Sequence, residues 1–283
     1  MQPAGEALLS VTDRGFQLGD GIFETIRVVG GRALELPLHV SRLQASAAVL
    51  EIPLPDGLVR CLDGAIAELC RANLLDDPAV QAAVRVTASR GPVDGRGLRP
   101  PEQVRPNLVV QAWRVDPPPP ELLETGLRLV ISGVRRDPLS PLATVKTTSR
   151  AEFVYAQLEA LRRGADDALL LTTDGHLAEA TSASVFLVVR AALVTPSLDC
   201  GILVSTTREW VISSGARMLG VAVREDHLVP GELFTADEAF LASSVAGILP
   251  VSSVDGHRIG AGRPGEVTLR LRALRENAAS GEH

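Results

Sequence analysis

The 283-residue chain has 28 basic residues, and only one of them, Lys146, is a lysine. A compositional bias toward arginine explains why the other lysines are missing, but not why one remains. Arginine replaces lysine as a surface charge, yet not as a nucleophilic amine, because the guanidinium stays protonated. A primary amine whose pKa shifts on burial can form a Schiff base with a carbonyl. Cysteine is scarce too: Cys61, Cys70 and Cys200 have an odd count and no metal-ligand spacing. Reduced thiols are expected, rather than a disulfide framework. The five histidines are widely separated in the sequence, so no metal site is expected. No apolar run approaches the ~20 residues of a spanning helix, and the N-terminus lacks a charged-then-apolar leader pattern. Cytoplasmic residence without a membrane partner is the expectation. Net charge is −6 and the arginines are balanced by acids, which argues against a nucleic-acid partner. There is no internal repeat and no long low-complexity segment.

What is present describes an ordinary globular chain, 46% apolar and 22% charged, long enough for two domains. In residues 11–29 a loop leads into a strand in which Phe23, Thr25 and Arg27 share one face by alternation. Gly30-Gly31 reads as a hairpin turn with residues 32–36 as the returning strand. Residues 38–50 and 56–72 read as helices, the first carrying His39 and Arg42. Residues 79–89 and 107–115 read as paired strands around a glycine- and arginine-rich loop. This first domain, residues 1–115, is mixed α and β. Residues 116–122, with four consecutive prolines, read as a stiff interdomain linker. Residues 123–283 form the second domain, with Lys146 in it.

Around Lys146 the order of elements is informative. Phe153, Ala156, Leu158 and Leu161 have near-helical spacing, with Gly164 as a stop. Residues 168–172 are an apolar run of strand length, and Asp174-Gly175 is a hairpin signal. A second strand follows, LAEATSASVFLVV, with Glu179 near its start among small hydroxyl residues. A carboxylate near a Schiff-base lysine suits pyridoxal 5′-phosphate (PLP), whose ring nitrogen needs an acidic partner. Further on, Thr206 and Thr207 are N-cap candidates for a helix over residues 209–219.

The segments DRGFQLGDGIFETIRV, HVSRL, VK, LAEATSASVF, STTRE and FLASSVAGILPV, in this order, resemble the fold-type IV (class IV) PLP-dependent aminotransferases. The resemblance covers nearly the whole chain. It implies a two-domain α+β homodimer with PLP at the domain interface. It also implies that Lys146 is the Schiff-base lysine and proton shuttle, and that Glu179 is the partner of the pyridine nitrogen. Arg42 would bind the cofactor phosphate, together with the backbone N–H groups of Thr206 and Thr207 and with Ser244. Anions are stabilised at a helix start on physical grounds as well.

Two departures stand out. Many relatives have a tyrosine five residues after the lysine; here Ala151 stands there, preceded by Arg150, as in the lyase branch of the family. Ser184 stands where several relatives have asparagine. For the substrate, Arg27 on its strand face and Arg96 in the loop SRGPVDGRG are the carboxylate-binding candidates, with Phe23 and Thr25 beside Arg27; Arg90 and Arg99 compete with Arg96. An inward charge on a strand is costly unless paired. The expected activity is amino transfer between an amino acid, of the D series, and a 2-oxo acid. The alternatives are a 4-amino-4-deoxychorismate lyase of 4-aminobenzoate synthesis and, more remotely, a non-catalytic PLP-binding protein.

Overall fold

The computed structural model describes residues 1–95 and 97–280, so Arg96 lies outside the described residues. The chain divides into two compact units. Unit 1 comprises residues 1–116 together with residues 145–150, and unit 2 comprises residues 117–144 and 151–283. The lysine assigned from the sequence to the C-terminal domain therefore packs with the N-terminal one. Both units mix helix and sheet, which is the α+β class that the sequence pattern implied.

Unit 1 contains α1 (Arg14–Leu18), β1 (Gly21–Val29), β2 (Arg32–Ala33), α2 (Leu36–Leu50), α3 (Leu58–Ala72), β3 (Gln81–Ser89) and β4 (Asn107–Arg114). The strands form an antiparallel sheet in the order β2-β1-β3-β4. The returning strand after Gly30-Gly31 is only two residues long, because Leu36 already begins α2. Alternation divides the sheet cleanly. Ile22, Ile26 and Val28 join Val84, Val86 and Ala88 in one core. Leu58, Leu62, Ile66 and Cys70, four residues apart on α3, form the stripe that packs into that core. Phe23, Thr25 and Arg27 occupy the opposite face, across from Thr87, Arg85 and Ala83.

Residues 145–150 join this sheet at the start of β1. Phe23 N donates to Lys146 O, Thr148 N to Gly21 O, and Lys146 N to Ser46 Oγ. The approach needs glycine: a Cβ on Gly21 would lie 2.9 Å from Ala88 O and 3.1 Å from Thr148 Oγ1.

Unit 2 contains α4 (Pro120–Thr125), β5 (Leu127–Arg136), α5 (Ala151–Arg162), β6 (Asp167–Thr172), β7 (Leu177–Ala180), β8 (Ser184–Val189) and β9 (Ala192–Pro196). There follow α6 (Thr206–Trp210), a π-turn (Val211–Gly215), α7 (Ala216–Leu219), β10 (Val223–Asp226), α8 (Pro230–Phe234), β11 (Glu238–Ser243), β12 (Gly247–Val254), β13 (His257–Arg258) and α9 (Glu266–Ser280). Among the described residues the sheet has nine strands, ordered β10-β9-β8-β11-β12-β5-β6-β7, with β13 on β12. Pairs β5/β6, β5/β12 and β9/β10 are parallel. The apolar run at residues 168–171 reads as it does because β6 is covered on both faces. Ala168 and Leu170 pack under α5, whereas Leu169 and Leu171 belong to the core on the other side.

Three expectations change here. The proline run is not a spacer throughout, because Pro120 opens α4, at a position that needs no N–H donor. The stretch LAEATSASVFLVV is two strands, β7 and β8, separated at residues 181–183. The N-cap at residue 205 is Ser205, whose side chain accepts from Arg208 N, so Thr206 and Thr207 are the first helical residues. Among the described residues, no helix is long and apolar enough to cross a membrane.

Candidate functional site

In unit 1 the half-buried Lys146 lies beside Phe23, its Nζ 4.7 Å from the ring centroid. Arg85, on the neighbouring strand, places its guanidinium carbon 3.7 Å from the same centroid, and its Nε donates to Thr87 Oγ1. Burial pulls the Arg85 guanidinium below the ordinary arginine value. Sequence reading missed Arg85. Its signal is the strand register: once Phe23 faces Thr87 and Thr25 faces Arg85, the arginine must share the Phe23 face. Arg27 is on this face too, is 5% exposed, and donates from Nη2 to Gln81 Oε1.

Arg42 belongs to the other side of β1. Its Nε and Nη2 donate to the two carboxylate oxygens of Glu24 at 2.7 and 2.6 Å. His39 Nδ1 is 2.7 Å from the same carboxylate. Glu24 sits among Ile22, Ile26 and Val28 at 1% exposure, where a lone charge would be prohibitive. Burial pushes its carboxyl up, but the bonds from Arg42 and His39 outweigh that and leave it below the usual carboxylate value. The spacing of His39 and Arg42 by three residues puts both on one face of α2.

A second buried ion cluster decides the loop arginines. Arg90 donates from Nε and Nη2 to the Asp20 carboxylate, and caps the end of α2 through Leu50 O and Glu51 O. Arg14 binds the same carboxylate and reaches the carbonyls of Gly97 and Leu98. Arg90 is thereby fully engaged within the fold and is removed from the carboxylate-binding candidates. Asp20 again shows burial raising the carboxyl and the Arg90 and Arg14 bonds lowering it further, with a net depression.

In unit 2, Glu179 lies on β7 with its side chain 10% exposed. Arg136 Nε is 3.3 Å from Glu179 Oε1, and Leu203 N donates to Oε2. Thr206 Oγ1 and Ser244 Oγ are 3.2 Å apart, so the helix start and the turn after β11 meet, as their separate motifs suggested. Thr207 is fully buried and its Oγ1 has no hydrogen-bond partner among the described residues. An orphaned hydroxyl at a helix N-terminus, where backbone N–H groups also point outward, fits an anion such as a phosphate. The residues present thus suit PLP.

Two of the histidines that are far apart in sequence, His176 and His227, meet in unit 2. The His176 and His227 rings are 5.2 Å apart, and ligand-type atoms of Asp199, Cys200 and His227 lie within 4.8 Å of one another. Asp199 and His227 already pair with each other at 2.9 Å. Burial pushes the Cys200 thiol up to about 11.

Comparison with known proteins gives a consistent result. The family model described as amino-transferase class IV matches residues 21–254. A Methanocaldococcus jannaschii protein provisionally named branched-chain-amino-acid aminotransferase is 36% identical, over 94% of this chain and 90% of its own. The D-alanine aminotransferase of Bacillus licheniformis is 29% identical, over 98% of this chain and 94% of its own. The crystal structure of a T.th. branched-chain amino acid aminotransferase with pyridoxamine 5′-phosphate superposes with a TM-score of 0.91 at 30% identity, covering 100% of this chain and 92% of that one.

Proposed function

Because the chain belongs to the class IV aminotransferases, which depend on PLP, we propose that it moves an amino group between a branched-chain amino acid and a 2-oxo acid. The observation that carries the reading is the group formed by Lys146, Phe23 and Arg85 on one face of the unit 1 sheet. A guanidinium there binds an α-carboxylate by charge-assisted hydrogen bonds. The buried Phe23 ring backs that guanidinium. The D-amino-acid donor expected from the sequence rested on two arginines per site, Arg27 and Arg96, with Arg90 and Arg99 competing for the second place. Of these, Arg90 is engaged with Asp20. The 36% identity to the protein named for branched-chain substrates, against 29% to the D-alanine enzyme, weighs the same way.

Bound PLP supplies an electron sink for the charge left when the substrate's α-proton departs. The chain's own residues divide the remaining work. Lys146 Nζ is the amine that attaches the cofactor, and once released it takes and returns that proton as a general base and acid. Glu179 would be the acidic partner of the ring nitrogen and would keep it protonated. In this reading the N–H groups of Thr206 and Thr207, the Thr207 hydroxyl and Ser244 would hold the phosphate; Arg42, expected there from the resemblance, would do so while keeping its bonds to Glu24. Arg85, with Arg27 and Thr25 on the same face, orients the substrate carboxylate.

A second reading, 4-amino-4-deoxychorismate lyase, is favoured by the loop SRGPVDGRG and by KTTSR, in which Arg150 precedes Ala151 where many relatives carry tyrosine. Single-turnover spectra of the holoenzyme test both. Both enantiomers of leucine, D-alanine, D-glutamate and aminodeoxychorismate would be mixed with it separately. Rapid conversion of the cofactor by one leucine enantiomer, with the D-alanine reaction at least about tenfold slower, is the expected result. Release of 4-aminobenzoate from aminodeoxychorismate without conversion by leucine would replace the transaminase reading with the lyase.

A further inference from the structure

We propose that Arg136 is the positioning residue of this site, a single guanidinium that aims the Glu179 carboxylate and ties it to the segments leading to Lys146 and to the Thr206 helix. The proposal rests on the reading of Glu179 as the partner of the cofactor's ring nitrogen. Arg136 is the last residue of β5. The strand's alternation turns it inward, with its side chain 11% exposed, while Arg135 beside it is exposed. The sequence pair Arg135-Arg136 does not reveal which is which.

Each edge of the guanidinium has a partner. Nε is 3.3 Å from Glu179 Oε1. Nη2 donates to Ala143 O at 2.6 Å and to Gly201 O at 3.1 Å. Nη1 donates to Glu152 Oε1 at 2.8 Å, and the Phe153 ring centroid is 5.2 Å from the guanidinium carbon. Ala143 lies three positions before Lys146, and Glu152 is in the first turn of the helix that follows the lysine segment. Gly201 opens the loop that ends at Ser205 and the start of α6. One planar fork therefore reaches the segments flanking the lysine, the loop before the phosphate-type helix start, and the acid itself.

The physics favours arginine for this task. The nearly buried Glu179 carboxylate needs a cationic partner, since an uncompensated buried charge is strongly destabilising. Lysine could supply charge, but its ammonium is a compact point on a flexible stem and cannot span a carboxylate and carbonyls on diverging segments. Nε meets Glu179 Oε1 at 3.3 Å as an ion pair, so the place of the carboxylate follows a guanidinium that the bonds to Glu152, Ala143 and Gly201 hold in orientation.

The test compares two ligands of the cofactor-free, full-length chain: PLP and its 1-deaza analogue, in which a C–H replaces the ring nitrogen. Dissociation constants would be read by fluorescence titration. The unmodified chain is expected to prefer PLP by about tenfold or more, the worth of one charge-assisted hydrogen bond. In Arg136→Gln most of that preference should vanish, while affinity for the deaza analogue changes by less than about threefold. A purely structural role would weaken both ligands by the same factor and leave the ratio intact, which overturns the proposal. Glu179→Gln separates the two claims. If the preference survives in Glu179→Gln, the ring-nitrogen reading fails and the Arg136 proposal falls with it. If it collapses there but survives in Arg136→Gln, the Arg136 proposal alone fails. Should Arg136→Gln not fold, Arg136→Lys keeps the charge and is expected to lose part of the ratio; an unchanged ratio in that variant also overturns the proposal.

Discussion

The guanidinium carbon of Arg85 lies 3.7 Å from the centroid of the Phe23 ring, on the ring that Lys146 Nζ approaches to 4.7 Å. Strand pairing makes the contact. Phe23 is opposite Thr87 and Thr25 is opposite Arg85, so the arginine and the ring are diagonal neighbours on one sheet face. Cation–π attraction fixes the guanidinium without consuming its N–H donors, most of which stay available to a carboxylate.

Replacing Arg85 by alanine should therefore raise the apparent KM for amino-acid donors by about tenfold to a hundredfold, the worth of one charge-assisted pair. An amine without a carboxylate, such as (R)-1-phenylethylamine, should change by less than about threefold. Arg27→Ala, measured alongside, shows how far the second arginine of that face shares the task. Equal losses for the amine and the amino acids would assign Arg85 to the strand's integrity alone.

Lys146 is the chain's only lysine, which makes its role unusually easy to check. Borohydride treatment of the holoenzyme should fix the cofactor to one peptide, the one containing Lys146, as seen by mass spectrometry. Lys146→Ala should fix none, although the residues proposed to bind the phosphate are untouched. Cofactor fixed in that variant would remove Lys146 from the role.

The Glu24 cluster should govern the acid limb of stability. Its carboxyl is depressed in the folded chain despite burial, through Arg42 and His39. Below the usual carboxylate value, the folded chain consequently binds fewer protons than the unfolded one. The stabilisation is present at neutral pH and is lost as pH falls through the depressed folded value. Glu24→Gln should lower stability at pH 7 by about 3 kcal/mol, because Arg42 loses its counter-charge. It should also flatten the dependence of stability on pH below the usual carboxylate value. Urea unfolding across that range would measure both, and a parallel downward shift at every pH would contradict the assignment.

Thiol reactivity should rank the three free cysteines by environment. Cys61 is exposed, whereas Cys70 and Cys200 are buried. Burial raises the Cys70 thiol and pushes Cys200 to about 11. Since the thiolate is the reactive form, iodoacetamide at pH 8 should modify Cys61 first, and Cys200 slower by a factor of about a hundred or more. Prompt labelling of Cys200 would mean that its surroundings open readily.

Much of the candidate site was proposed from the sequence because the signals behind it are local. A lone lysine, an acid beside a hairpin signal and threonines before a helix are short-range facts, and alternation along β1 placed Phe23, Thr25 and Arg27 on one face. Those properties depend on backbone periodicity and side-chain chemistry, which a single segment carries by itself. Tertiary structure decided the pairings. Arg85 became a candidate only through the register of β1 against β3, and Arg90 ceased to be one because Asp20 lies within its reach. Residues 145–150 joined unit 1 because Gly21 admits them against β1. Arg136 rather than Arg135 came to hold Glu179. Each of these is a contact between segments far apart in the chain. Any of several arginines satisfies such a contact equally well on paper, and only packing chooses among them.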